Sequence, residues 1–151
     1  MARKIMPYEE YISKLSWHRT ESEQKEAIRF LTQAPDWDFS NCIRKSSKDI
    51  WENLVAVIKK RSYEEKVQLA GELLYLLMDL NWPGALQALG ILKGIRKEDI
   101  LPPLESALKS ACLEKDGNWL SYLYELVVHF ELSDSDFKEI TLGKIIALKD
   151  W

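Results

Sequence analysis

The chain has 151 residues, 46% of them hydrophobic and 30% charged, with 24 acidic against 21 basic side chains and a net charge of −3. That length suits a single domain, 1–151, and the balance excludes a chain disordered over most of its length. The mild acid excess disfavours a general nucleic-acid binder, which carries a basic surplus. No uncharged apolar stretch approaches the roughly 20 residues that span a bilayer.

Apolar residues recur at three- and four-residue spacing and strand-like alternation is scarce, so the expectation is an all-α fold. A first helix starts at Pro7 and carries Tyr8, Tyr11, Ile12 and Leu15, since proline is preset for a first turn. Ser22 caps a second, through Ala27, Phe30 and Leu31, that Pro35 stops. Asp36-Trp37-Asp38-Phe39-Ser40-Asn41 reads as a loop or helical turn. Ser47 precedes a helix whose stripe is Ile50, Trp51, Leu54, Val55 and Ile58, with Lys59-Lys60-Arg61 at its end opposing the helix dipole. Ser62 and Glu65 form a capping box for a helix reaching about Leu80. Its leucines cover more than one stripe, which makes it the expected centre of the core.

Pro83 opens the next helix, with Ala85, Leu86, Ala88, Leu89, Leu92 and Ile95. Pro102-Pro103 starts another, bearing Leu104, Ala107, Leu108, Ala111 and Cys112, and Gly117 breaks it. Trp119 to Phe130 is apolar at helical spacing, and Ser133 with Asp136 caps a last helix through Phe137, Ile140, Ile145 and Leu148. About eight short helices with tight turns imply antiparallel pairs. Asn81-Trp82 aligns with Asn118-Trp119 at an offset of 37 residues, which places Asp79 on Asp116 and Leu89 on Leu126. A period near that of helix-pair repeats suggests a HEAT or armadillo-like stack, with a compact irregular bundle as the alternative.

The turn Asp79-Leu80-Asn81-Trp82-Pro83-Gly84-Ala85 has a local logic. Asn81 tolerates a left-handed helix cap, Trp82 is biased out of helical geometry by the following proline, and Pro83 starts a helix. With Asp79, Asn81, Trp82, Pro83 and Ala85 in place, the segment resembles an uncharacterised bacterial family of HEAT-like helical proteins with a D-x-N-W-P-x-A turn and a further tryptophan, matched by Trp119. The resemblance covers roughly 67–130 and implies a helical-repeat fold without implying a chemistry. The architecture is also similar to that of all-helical toxin-immunity proteins.

The residues for catalysis and metals are few. His18 and His129 are the only histidines, and no HExxH, CxxC with histidine partners, GxSxG or phosphate-binding glycine loop occurs. The expectation is a protein that is not an enzyme and that holds neither cofactor nor metal. Cys42 and Cys112 lie far apart and read as reduced, partly buried thiols. Between Met1 and Tyr11, charges and Pro7 stand where a secretory leader needs an apolar core, so a cytoplasmic home is expected.

Two acidic stretches stand out as partner surfaces. Trp37 lies between Asp36 and Asp38 with Phe39 beside it, an aromatic anchor ringed by negative charge. Glu131, Asp134 and Asp136, with Glu139, make the second. Such patches suit a basic protein partner. The reading is a protein-binding module, most concretely an immunity protein that binds and neutralises a cognate bacterial toxin, such as a nuclease, by occlusion. The alternative is a nucleic-acid-binding helical-repeat protein using Arg44, Lys45, Lys48 and Lys59-Lys60-Arg61 around Trp51.

Overall fold

The computed structural model describes residues 8–35 and 40–149. Among these the chain is all-helical, with no strand, and the α-helices number ten where about eight were expected. They are α1 (Tyr8–Ser13), α2 (Glu21–Gln33), α3 (Cys42–Lys45), α4 (Lys48–Lys60), α5 (Tyr63–Gln68), α6 (Ala70–Tyr75), α7 (Ala85–Lys93), α8 (Lys97–Leu113), α9 (Gly117–His129) and α10 (Leu142–Leu148).

The buried apolar residues form one cluster running from Leu15 to Ile145. Its centre is the stretch that carries most of the leucines: Leu69, Ala70, Leu73, Leu74, Leu76 and Leu77 are at most 3% exposed. The Ser62–Glu65 capping box forms as expected. The helix after it does not run unbroken to Leu80, because Leu69 at φ −94°, ψ 3° separates α5 from α6, and Leu76–Met78 tighten into a 3-10 turn. The interruption turns the apolar arc, so that α6 packs against α3, α5, α7 and α8 together.

Several helix boundaries differ from expectation, each for a local reason. Thr20, not Ser22, caps α2, because Thr20 and Glu23 form a reciprocal box that starts two residues earlier. The helix expected to open at Pro83 begins at Ala85, because the chain first takes a left-handed step at Gly84 (φ 84°). A Cβ there would sit 2.9 Å from Val55 and 3.1 Å from the Trp51 carbonyl, so only glycine lets this turn lie against α4. Asn81 does not take a left-handed cap; its N–H instead bonds the Asp79 carboxylate at 2.8 Å. Pro102 and Pro103 do not start α8 but lie inside it. The start moves upstream because the Tyr63 hydroxyl accepts from the Arg96 N–H and donates to Asp99, capping the helix from α5. Proline's fixed φ allows the helix to continue, although two backbone donors are lost.

Two helices end the same way. After α8, the N–H of Asp116 bonds the Ala111 carbonyl and that of Lys115 the Cys112 carbonyl. After α9, Leu132 bonds Val127 and Glu131 bonds Val128. Both are Schellman motifs, and both place a non-glycine residue in the left-handed region, Lys115 at φ 54° and Glu131 at φ 53°. The last helix starts at Leu142, capped by Thr141. The Ser133–Asp136 capping box closes only a single 3-10 turn, Asp134–Asp136.

Tertiary hydrogen bonds set how the helices run. Asn53 in α4 donates to Gln24 near the start of α2, and Arg61 just past α4 donates to the Leu31, Thr32 and Ala34 carbonyls at the end of α2. These two helices therefore lie side by side in the same direction. The Trp119 indole, in the first turn of α9, donates to the Leu74 carbonyl at 3.0 Å. Trp51 makes an equivalent bond to the Ile43 carbonyl at 2.8 Å. Trp82 sits half-buried in a turn, so the 37-residue offset pairs Trp82 and Trp119 in dissimilar settings.

Candidate interaction face

Three inter-helix turns meet at one edge of the molecule. The Trp17 N–H, between α1 and α2, bonds the Asp49 carbonyl at 3.0 Å, which brings that loop to the start of α4. The Trp82 turn also reaches this end of α4, its ring 5.4 Å from that of Trp51 and 5.6 Å from that of Tyr75. Trp17 is 51% exposed, and Trp82 and Tyr75 are half-buried. Leu86, in the first turn of α7, is 64% exposed.

Cations cover these rings. The Lys48 ammonium stands 5.2 Å from the Trp82 ring centre, and the Arg44 guanidinium 5.0 Å from that of Tyr75. Lys45 is exposed on the same short helix, α3. That helix is held by a buried carboxylate. Glu72, on α6, is only 7% exposed; its Oε1 accepts from the Ile43 and Arg44 amides at 3.0 and 3.2 Å, and its Oε2 pairs with Arg44 Nε at 3.2 Å. Two amides and one guanidinium edge satisfy a charge that burial alone would penalise. The same carboxylate thus fixes both the start of α3 and the stem of Arg44.

The expected basic cluster is divided. Arg44, Lys45 and Lys48 gather here, whereas Lys59, Lys60 and Arg61 lie at the far end of α4, about 18 Å along its axis. Arg61 is itself tied up capping α2 and pairing with Glu65 at 2.7 Å. Burial opposes the Glu65 charge, but the Arg61 and Ser62 hydrogen bonds prevail and hold its carboxyl below the usual range. Lys60 joins Lys25, Arg29, Thr32 and Gln33 along a shallow groove of about 350 Å³ between α2 and α4.

The acidic stretches fare differently. Asp36, Trp37, Asp38 and Phe39 lie outside the described residues. In the second stretch the carboxylates are largely engaged within the fold. Asp134 accepts from the Leu142 N–H at 2.7 Å. Asp136 accepts from the Ser133 N–H at 2.8 Å and pairs with Lys97 at 3.1 Å, bonds that lower its pKa. Glu139 pairs with Lys109, which lowers its pKa likewise. Glu131 is exposed, its backbone serving as the left-handed cap of α9. Asp136 and Glu139 find their cations on α8, where Lys97, Glu105 and Lys109 recur at multiples of four. Glu105 Oε2 accepts from the amides of Lys138, Glu139 and Ile140 at 2.8, 2.7 and 3.3 Å. This clamp was not foreseen from sequence, where Glu105 has the look of any exposed helical glutamate.

Nothing in the described residues gathers three or more His, Cys, Asp or Glu side chains as a metal would require. The His129 Nε2 donates to the Lys93 carbonyl at 3.0 Å, ending α7 from α9. His18 lies beside Asp49, whose pKa is lowered chiefly by bonds from Ser16 and Ser47 and further by the imidazole. Cys42 and Cys112 are buried and outside any disulfide, and burial pushes the Cys112 thiol up. No helix among the described residues is long and apolar enough to cross a membrane. Searches of protein-family models, curated proteins and solved structures find no match to this chain.

Proposed function

We propose that the chain is a non-enzymatic protein-binding module whose partner seats on the edge where the Trp17, Ser47–Asp49 and Trp82 turns meet. The observation that carries this is the Trp82–Tyr75 ring pair with two cations over it, in the turn before the exposed Leu86, while the exposed Trp17 lies in a loop bonded to the start of α4. Aromatic anchors beside charged side chains are the composition of interface hot spots. The scaffold, on this reading, is a HEAT-like stack in which helix pairs present their turns along one rim. The most concrete form is a bacterial immunity protein that covers the working surface of a toxin. The acidic stretch at 131–139 is less suited to that task than its composition suggests, because most of its carboxylates already have partners within the fold.

Co-expression with the product of the adjacent reading frame tests the immunity form. The expected result is a stable complex on size exclusion and protection of the host, with dissociation at least tenfold faster for Trp82→Ala, as for an aromatic anchor. An adjacent product that is harmless alone and forms no complex would reject it. The nucleic-acid alternative finds its cations divided between the two ends of α4, few at either for a binding mode that neutralises many phosphates.

A further inference from the structure

We propose that Arg44, Lys45 and Lys48 dock an acidic segment of the protein partner. The inference rests on the protein-binding reading and supplies the chemistry of the partner, which is opposite in charge to the basic one that the acidic stretches suggest. Arg44 and Lys48 are seated with their charged ends 5.0 and 5.2 Å over the Tyr75 and Trp82 rings. Glu72 engages Arg44 through Nε, and the Arg44 side chain is still 52% exposed. Lys45 and Lys48 have no carboxylate within ion-pair distance among the described residues, and both are surface side chains.

The carboxylates of this edge are directed to other donors and form no ion pair with Lys45 or Lys48. Asp49 is bonded by the Ser47 hydroxyl and Asp79 by the Asn81 amide, while both Glu72 oxygens are already engaged. The rings hold the long stems of Arg44 and Lys48 in place, so less side-chain freedom is lost when an anion binds. A guanidinium held through Nε keeps its two terminal nitrogens for a carboxylate. A nucleobase would have to displace these cations to stack on the ring faces they cover, which favours an anion presented by a peptide over a stacked single strand. Carboxylates with an apolar neighbour would meet the cations and the rim of Trp82 and Leu86 at once.

The test uses the full chain and a fluorescein-labelled deca-glutamate peptide, with unlabelled decathymidylate as competitor. Anisotropy should show saturable binding to the wild type, weakened about tenfold in Arg44→Gln/Lys48→Gln. Lys25→Gln/Lys60→Gln, which removes two cations at the far groove, should bind as the wild type does. Circular dichroism checks that each variant is folded, and Lys48→Gln alone, which leaves the Glu72 pair intact, should show an intermediate loss. Equal weakening in both double variants, no saturable binding, or stronger binding by decathymidylate would overturn the inference. In the partner complex, Arg44→Gln/Lys48→Gln should slow association. A complex that forms at the wild-type rate would overturn the acidic-segment inference and leave the protein-binding reading standing.

Discussion

Two glutamates in the middle of helices perform one task in two environments. Glu72 reaches from α6 to the amides of Ile43 and Arg44, and Glu105 reaches from α8 to those of Lys138, Glu139 and Ile140. Each replaces missing backbone partners for a segment that has too little helix to satisfy its own donors. They differ in burial: Glu72 is 7% exposed and lies against the core, whereas Glu105 is half-buried beside a solvated stretch. Water can take over the amides that Glu105 releases, but it reaches those behind Glu72 poorly. The first clamp is therefore expected to govern folding and the interaction face together, the second mainly local order.

The largest effect should come from the core that lies between the two clamps. Leu77 is fully buried in the 3-10 turn that packs on both α7 and α9. Leu77→Ala should lower unfolding free energy by roughly 2–5 kcal/mol in urea titrations. A loss below about 1 kcal/mol would show that this turn is not central.

Glu72→Ala should cost about 3 kcal/mol, since it leaves a buried amide, a part-buried amide and a guanidinium edge without their acceptor. It should also raise hydrogen exchange across 42–46. Glu105→Ala should cost only about 1 kcal/mol and raise exchange across 138–140 alone. Equal costs would mean that burial does not distinguish the two sites.

Glu131→Gly should stabilise the protein, by up to about 1 kcal/mol, because glycine occupies the left-handed cap of α9 without a Cβ penalty. Thermal unfolding detects the gain; a lowered midpoint would contradict the Schellman geometry at this end.

The smallest effect is on acid stability. The carboxyls of Glu23, Asp49, Asp136 and Glu139 are held low, respectively by the Thr20 amide, by Ser16 and Ser47, by the Ser133 amide, and by Lys109. A carboxyl lowered in the folded state favours folding above the ordinary value near 4, and that contribution is lost as pH falls through the lowered values. The urea midpoint should hold from pH 7 to about 5 and fall below about 4. An unchanged midpoint at pH 3 would contradict these bonds.

Helical class, the central leucine-rich stretch and the Ser62–Glu65 box follow from spacing and capping chemistry, which act within a few residues and so are written locally in the chain. The same holds for the disposition of Lys59 and Lys60 at a helix end. Boundaries at Gly84, Arg96 and Leu69 were not legible, because their causes lie elsewhere: the close approach of α4, the Tyr63 hydroxyl and the packing of one apolar arc on several neighbours. Basic residues adjacent in sequence proved to be at opposite ends of α4, while Arg44, Tyr75 and Trp82, separated by up to 38 positions, share one face. Asp134, Asp136 and Glu139, which composition marks as part of a free patch, proved to be capping and pairing partners. By itself the sequence determined which stretches are helical and which faces are apolar, since those depend on short-range periodicity. Tertiary structure decided which charges are left uncommitted, because a side chain's partners are chosen by distance in space and by access to water, neither of which is ordered along the chain.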